Sequence, residues 1–336
     1  MQQAPEPAQA SIPAGWSTLP APPFYRFRGA AVWTGTELVY WGGESEYGDE
    51  VHGDGAAFDP ATGRWRPLAS GPLSARSGAA AVWTGDEMLI WGGGHEATTN
   101  DGAAYDPEQD EWRSLPDSPL GARVPVGAVW TGTEMIVWGS TSRAASAVDG
   151  AAYDPREDRW RELPPAPFAL NEATPAWTGE EMVVFGARLD GNNWSDTDHA
   201  RGAAFDPRTS TWRVLPPHPF SPQASTAVWS GRELVVWDYE LRAAAYDPAA
   251  DAWRPLPDLP LDFSECYPEG AVGAGFVLAW HCGRAVLLDQ ATDSWREVRG
   301  APSEIFAPPV AAGSVFLFVG AYDEPGGDSA WAYRPG

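Results

Sequence analysis

GAAVWTGTELVYWGG (Gly29 to Gly43) and, past a polar loop, GAAFDPATGRWRPLASGP (Gly55 to Pro72) form the stretch on which the reading of the fold turns. The chain restarts it at Ala80-Ala81-Val82-Trp83-Thr84-Gly85 and again at Gly127-Ala128-Val129-Trp130-Thr131-Gly132. Self-similarity at a period of about 40–50 residues marks a propeller or a solenoid. Residues that recur in every copy are read as scaffold. Residues confined to one or two copies are where function is sought.

Each unit divides into four short strands, a to d. Strand a (Gly29 to Trp33) is rich in small residues, which lets inner strands crowd an axis. Thr34-Gly35-Thr36-Glu37 is a hairpin turn. Strand b (Leu38 to Trp41) is apolar on both faces, as expected of a strand covered from either side. Strand c (Ala56 to Phe58) runs into an Asp59-Pro60 turn, and strand d follows, its Trp65 suited to packing between blades. The strand-d series is Trp16, Trp65, Trp112, Trp160, Trp212, Trp253 and Trp295; the strand-b series ends near Trp41, Trp91, Trp138, Phe185, Trp237, Trp280 and Val319. Both have seven members, but the chain opens with a lone strand d and finishes on strands a to c. That offset predicts a closed ring whose N-terminal strand completes the last blade and removes its free edge.

The 336 residues include 36 Gly and 33 Pro and carry a formal charge of −24, with Arg supplying all the basic charge because Lys is absent. A surface this acidic repels nucleic acid and anionic lipid. No apolar run approaches transmembrane length, so no membrane insertion is expected. Residues 1–12 read as a disordered leader without the apolar core of a signal peptide. The remainder, 13–336, reads as one domain and is expected to be a monomer.

The Gly-Gly after strand b (Gly42-Gly43, Gly92-Gly93), the aromatic before the c–d turn (Phe58, Tyr105, Tyr153) and the Trp that follows it resemble kelch-repeat propellers, the central domain of galactose oxidase among them. The VWTGxE and DPxxxxW units are most similar to bacterial kelch-like proteins. The resemblance runs from Trp16 on and implies an all-β fold: a seven-bladed kelch-type β-propeller of four antiparallel strands per blade. For function it implies a range, from actin-binding scaffolds and ubiquitin-ligase adaptors to a copper radical oxidase and a sialic acid epimerase.

Subtracting the repeat leaves the candidates. Glu37, Glu87, Glu134, Glu181 and Glu233 of the a–b turns and Arg66, Arg113, Arg161, Arg213, Arg254 and Arg296 of strand d recur, and are read as ties between blades. The b–c loops and d–a crossings share one face, the top, and vary. Arg26, Arg76 and Arg123 stand seven residues before the strand-a Trp in blades 1 to 3, and the corresponding region of later blades holds Asn171, Glu172, Gln223, Glu265, Glu269 and Glu304. One arc of the mouth is therefore expected to present guanidinium groups for an anionic ligand and the other arc carboxylates and amides. His52, His95 and His199 in the top loops complete the candidate ligand set with Arg26, Arg76, Arg123, Glu172 and Glu269.

Cys266 and Cys282 fall at one end of blade 6, which favours a disulfide and an oxidising compartment, secreted or in the cell envelope. A metal site on Cys266, His281 and Cys282 lacks a fourth ligand, and Asp196-Thr197-Asp198 lacks the rest of a calcium loop, so no metal or cofactor is expected. The copper radical oxidase pattern fails on most of its ligands. The sequence thus supports a binding propeller that takes a small polar or anionic ligand (carbohydrate included) or a protein partner at its top mouth. The alternative is a carbohydrate-active enzyme of epimerase or mutarotase type on the same face, using Glu172, Glu269, His95 and His199 as acid–base groups. A third reading is a scaffold whose mouth is plugged by Trp194 and Tyr47.

Overall fold

Every unit folds into four antiparallel strands, as its alternation predicts. The structure, a computed structural model, describes residues 12–45, 48–140, 148–168, 170–187, 201–220, 225–238, 240–261, 269–273, 275–281, 284–302, 309–323 and 327–336. Among these there are seven four-stranded sheets and no helix, hence none long and apolar enough to cross a membrane. Blade 1 comprises Ala30–Trp33, Leu38–Trp41, Gly55–Asp59 and Arg64–Pro67 as strands a to d. Blade 2 comprises Ala80–Trp83, Met88–Trp91, Gly102–Asp106 and Glu111–Ser114; blade 3 comprises Gly127–Trp130, Met135–Trp138, Gly150–Asp154 and Arg159–Glu162. Blade 4 is built from Asn171–Trp177, Met182–Ala187, Arg201–Asp206 and Thr211–Val214, and blade 5 from Ser225–Trp229, Leu234–Asp238, Ala243–Asp247 and Ala252–Leu256. Blade 6 contains Glu269–Gly273, Phe276–His281, Arg284–Asp289 and Ser294–Val298. In blade 7, Val310–Ala312, Val315–Asp323 and Gly327–Arg334 supply a to c, and Gly15–Leu19 supplies d in the register Gly15↔Arg334 to Leu19↔Ala330. The a strands neighbour one another all round the axis, blade 7 against blade 1 included, so the ring is closed as the offset requires.

The core is divided into seven buried clusters, one per seam between blades. Between blades 1 and 2, Val39, Trp41 and Ala57 pack on Met88, Ile90 and Tyr105; between blades 7 and 1, Leu19 and Phe24 join Leu38, Phe58, Leu317 and Ala332. Ile12, at the end of the expected leader, packs on that last cluster, and its carbonyl accepts a hydrogen bond from Arg334 Nη1 at 3.1 Å. The strand-d tryptophans knit the seams as their regularity suggests. Trp112 lies 5.9 Å from Trp41 of the preceding blade and its indole N–H donates to the Ala69 carbonyl at 2.8 Å. Trp65, Trp160, Trp212, Trp253 and Trp295 donate likewise to the carbonyls of Pro20, Pro116, Pro164, Pro216 and Pro257.

The face of the a–b and c–d turns is tied by a repeated relay. Arg66 grips Glu37 of its own blade through Nε and Nη2 (3.1 and 2.7 Å) and reaches the Tyr105 hydroxyl of the next blade at 3.0 Å. That hydroxyl donates to Asp110 at 2.7 Å, and burial pushes it up to about 12. Arg113 repeats the arrangement with Glu87 and Tyr153, and Arg213 with Glu181 and Tyr246. The recurring Glu and Arg are scaffold, as expected. Blade 6 has no Glu in its a–b turn, and there Arg296 sits over the Phe276 ring at 5.4 Å.

Candidate functional site

Strands b and d end, and strand c begins, on the top face, so that face is built from the b–c loops and the d–a crossings. The double glycine after strand b fixes how these meet. Gly42 adopts φ +72°, and a Cβ there would come within 2.8 Å of the Arg76 carbonyl; a Cβ at Gly92 would come within 2.9 Å of the Arg123 carbonyl. Only glycine permits that approach. The same carbonyls accept from Gly43 N (2.9 Å) and Gly93 N (3.0 Å), tying each b–c loop to the next blade's crossing.

The three crossing arginines do not line the mouth as an open arc. Arg76 is buried, with 1% of its side chain exposed, and forms a two-pronged bond to Asp101 (2.6 and 3.1 Å). Its other acceptors are Thr99 Oγ1 (2.7 Å) and the Gly92 carbonyl (3.3 Å), which share Nη1 with Asp101, and the carbonyl and Oγ of Ser74 (both 2.9 Å). Arg123 forks onto Asp149 at 2.7 and 2.9 Å. Arg26 bonds the carboxylate of Asp54 at 2.8 Å and its carbonyl at 3.1 Å, and lies over the Phe24 ring. Each arginine thus pins a crossing to the residue directly before strand c of the same blade. The physical reason is local: a carboxylate stands directly before the first residue of strand c, within reach of the crossing, and a buried guanidinium requires a partner.

The solvent-facing member of each pair is the acid. Asp54, Asp101 and Asp149 have side chains 73%, 53% and 49% exposed, and each carboxyl is held below its usual range chiefly by the hydrogen bond from its arginine. At the same position, the residue opening strand c, blades 4, 5 and 6 carry Arg201, Arg242 and Arg284. Arg242 pairs with Asp238 (2.6 Å) and Glu240 (3.1 Å), Arg284 with Glu297 (3.1 Å), and Arg201 with no group among the described residues. At this ring of positions, blades 1 to 3 therefore present carboxylates and blades 4 to 6 guanidinium groups, the reverse of the arcs expected from the crossings. The signal was in the sequence as the repeated Asp-Gly that opens strand c (Asp54-Gly55, Asp101-Gly102, Asp149-Gly150) against Arg201-Gly202.

Of the histidines, His52 is half-buried beside the Arg26–Asp54 pair, and burial followed by the Arg26 charge lowers its pKa. Its carbonyl accepts from Arg76 N. His95 is exposed on the blade 2 loop. Glu172 and Glu269 are placed in strand a of blades 4 and 6, with side chains outside the described residues; His199, Cys266, Cys282, Tyr47, Trp194, Gln223, Glu265 and Glu304 lie outside them altogether.

His218, absent from the candidate list, stands out. It occupies the crossing position held by Gly71, Ser118, Ala166 and Leu259 in other blades. Its ring packs on Phe185, Phe220 and Trp253, and Nδ1 donates to the Phe220 carbonyl at 2.7 Å. Burial is the main cause that drives its pKa down to about 4, opposed by Asp238 and reinforced by Arg242. The folded state therefore resists a proton that the unfolded chain accepts below about 6.5. Stability from this group is complete above that value and falls as pH drops from about 6.5 toward 4, by an amount on the order of 2–3 kcal/mol. Urea unfolding followed across that window is expected to show this slope in the native chain and a flatter profile in His218→Phe. Parallel profiles would show that the ring is not the cause.

A family model for the KLHDC2/KLHL20/DRC7 Kelch-repeats domain matches residues 28–236, from the crossing into blade 1 to strand b of blade 5. A comparison with curated proteins finds no match. The match covers more than half of the chain, and the seven four-stranded blades that surround it, closed by the N-terminal strand, carry the same repeat to the end: the chain belongs to the kelch-repeat family of β-propellers.

Proposed function

We propose that this propeller is a protein-interaction module whose partner docks on the top face. Kelch propellers generally mediate protein interactions. The observation that carries the choice of face is the reversal of charge at the residue opening strand c: Asp54, Asp101 and Asp149 on one side, Arg201, Arg242 and Arg284 on the other. On the opposite face the Glu and Arg that recur from blade to blade are tied to one another within the scaffold. A face divided into acidic and basic halves fixes the orientation of a complementary partner and speeds its encounter.

The test compares three immobilised proteins: the native propeller, the top-face variant Arg201→Glu/Arg284→Glu, and the opposite-face variant Arg159→Glu/Arg208→Glu. Proteins captured from extracts of the source cells are quantified by mass spectrometry at low and high salt. The top-face variant is expected to lose a set of proteins that the other two retain, and that set is expected to elute as salt screens the charges. Equal capture by all three would remove the top face from the reading.

A further inference from the structure

We infer that the outer seam between blades 4 and 5 is a recognition cleft for a short partner segment carrying a bulky apolar side chain beside a carboxylate. The inference rests on the interaction reading only in taking the occupant to be a protein segment.

Four departures from the repeat meet at this seam. The last aromatic of strand b is a buried Trp in blades 1, 2, 3 and 5 but Phe185 in blade 4, and the smaller ring leaves room at the top edge. The residue closing strand d is Pro67, Ser114 and Glu162 in the first three blades; in blade 4 it is Val214, the exposed large hydrophobic side chain of the described residues, at 54%. The opening residue of strand c is Arg201 rather than Asp, and it has no ion-pair partner among the described residues. The crossing carries His218. Together with Leu215 and Phe220 these residues line a cleft of about 530 Å³, within the range of pockets that enclose a ligand group. Any one departure is ordinary variation; their convergence on one seam gives a single site with apolar walls and one cation.

The chemistry of the occupant follows from what the walls lack. Phe185, Val214, Leu215 and Phe220 offer apolar contact, and an exposed valine at the rim gains from being covered. Arg201 has no ion-pair partner among the described residues of a chain of net charge −24, and a carboxylate is the group that fits it. With Nδ1–H donating to Phe220, His218 carries its lone pair on Nε2, which is buried without a partner among the described residues, so the missing group there is an N–H or O–H donor. An extended peptide supplies all three: a side chain for the walls, a neighbouring carboxylate for Arg201, and a backbone N–H for the imidazole. A buried acceptor left unmade is costly, which favours an occupant that satisfies it.

The probe is a fluorescein-labelled peptide, Gly-Ser-Asp-Phe-Asp-Ser-Gly amide, read by fluorescence anisotropy against the native propeller and three variants. Saturable binding is expected for the native chain, with weakening of about tenfold or more in Val214→Asp and in Arg201→Glu, and no change in Arg284→Glu. The peptide with Ala in place of Phe is expected not to bind. Val214 and Arg201 are exposed, so unchanged thermal melts confirm folded variants. Absence of saturable binding to the native chain, equal binding by Val214→Asp, or equal weakening by Arg284→Glu would each overturn the cleft. Loss of the cleft in this assay with top-face capture intact leaves the interaction reading standing; capture repeated with Arg284→Glu alone, which spares the cleft, tests the interaction reading by itself, so the two failures are separable.

Discussion

Arg76→Met lowers the stability of the propeller by about 3 kcal/mol, while Arg201→Met stays within about 0.5 kcal/mol of the native chain. The two positions lie on the same face and differ in burial and partners. Arg76 fills a site with almost no solvent contact, and its five N–H groups are shared among six acceptor atoms of Asp101, Thr99, Gly92 and Ser74. Methionine keeps much of the volume but strands these acceptors. Asp101 is half exposed and recovers hydration when released, which holds the loss near the lower end for a broken buried pair. Arg123→Met falls between the two, because among the described residues the Arg123 side chain bonds Asp149 and Gly121. Urea unfolding of the three variants at neutral pH measures the order directly. The gap has a pH signature. Asp101 is held below its ordinary value of 3.8 by Arg76, so the stability of the pair is present above that value and is lost as pH falls through the lower folded pKa. The difference between native and Arg76→Met chains is therefore expected to narrow below about pH 4. Equal losses for Arg76→Met and Arg201→Met would show that the crossing is not held by the pair.

Much of this fold was legible because its scaffold is written several times over. The Trp of strand d, the Glu of the a–b turn and the Arg of strand d recur at fixed offsets, and recurrence separates a structural role from a local one without any coordinates. The N-terminal strand was legible for a related reason: two series of seven with a shifted start admit few arrangements other than a ring closed by its first strand. The mouth was not legible in the same way. Arg26, Arg76 and Arg123 share a position, but the position alone does not say whether a guanidinium faces solvent or a neighbour. That depends on Asp54, Asp101 and Asp149, which lie about 26 residues further on and meet the arginines only after strands a and b have folded back. The cleft at blades 4 and 5 was missed for a different reason. Phe185, Arg201, Val214 and His218 are each conservative or ordinary in one dimension, and only the seam brings their departures together.

Removing residues 1–19 abolishes the monomeric propeller. The strand Gly15–Leu19 is the one element that joins the start of the chain to its end, pairing along Gly327–Arg334 in five consecutive register positions. Trp16 lies between Trp280, Phe318 and Tyr333, with ring centroids 5.6, 5.3 and 5.0 Å away, and Leu19 is buried in the cluster between blades 7 and 1. Losing a packed Trp or Leu costs about 3–5 kcal/mol each, so the sum rivals the whole stability of a typical domain. The second consequence is an exposed edge. Strand c of blade 7 would present unpaired N–H and C=O groups beside Trp331 and Tyr333, a template for pairing with another chain. The truncated protein is therefore expected to associate with rising concentration in sedimentation velocity and to lose its cooperative thermal transition. Trp16→Ala separates the two effects: it is expected to cost about 3 kcal/mol yet remain monomeric, because the backbone pairing that covers the edge survives. A synthetic peptide spanning residues 12–20 is expected to restore the monomer and raise the melting temperature of the truncated chain by adding the missing strand. A truncated chain that stays monomeric and melts like the native one would mean that the ring closes through its a strands alone, with the N-terminal strand an ornament on its rim.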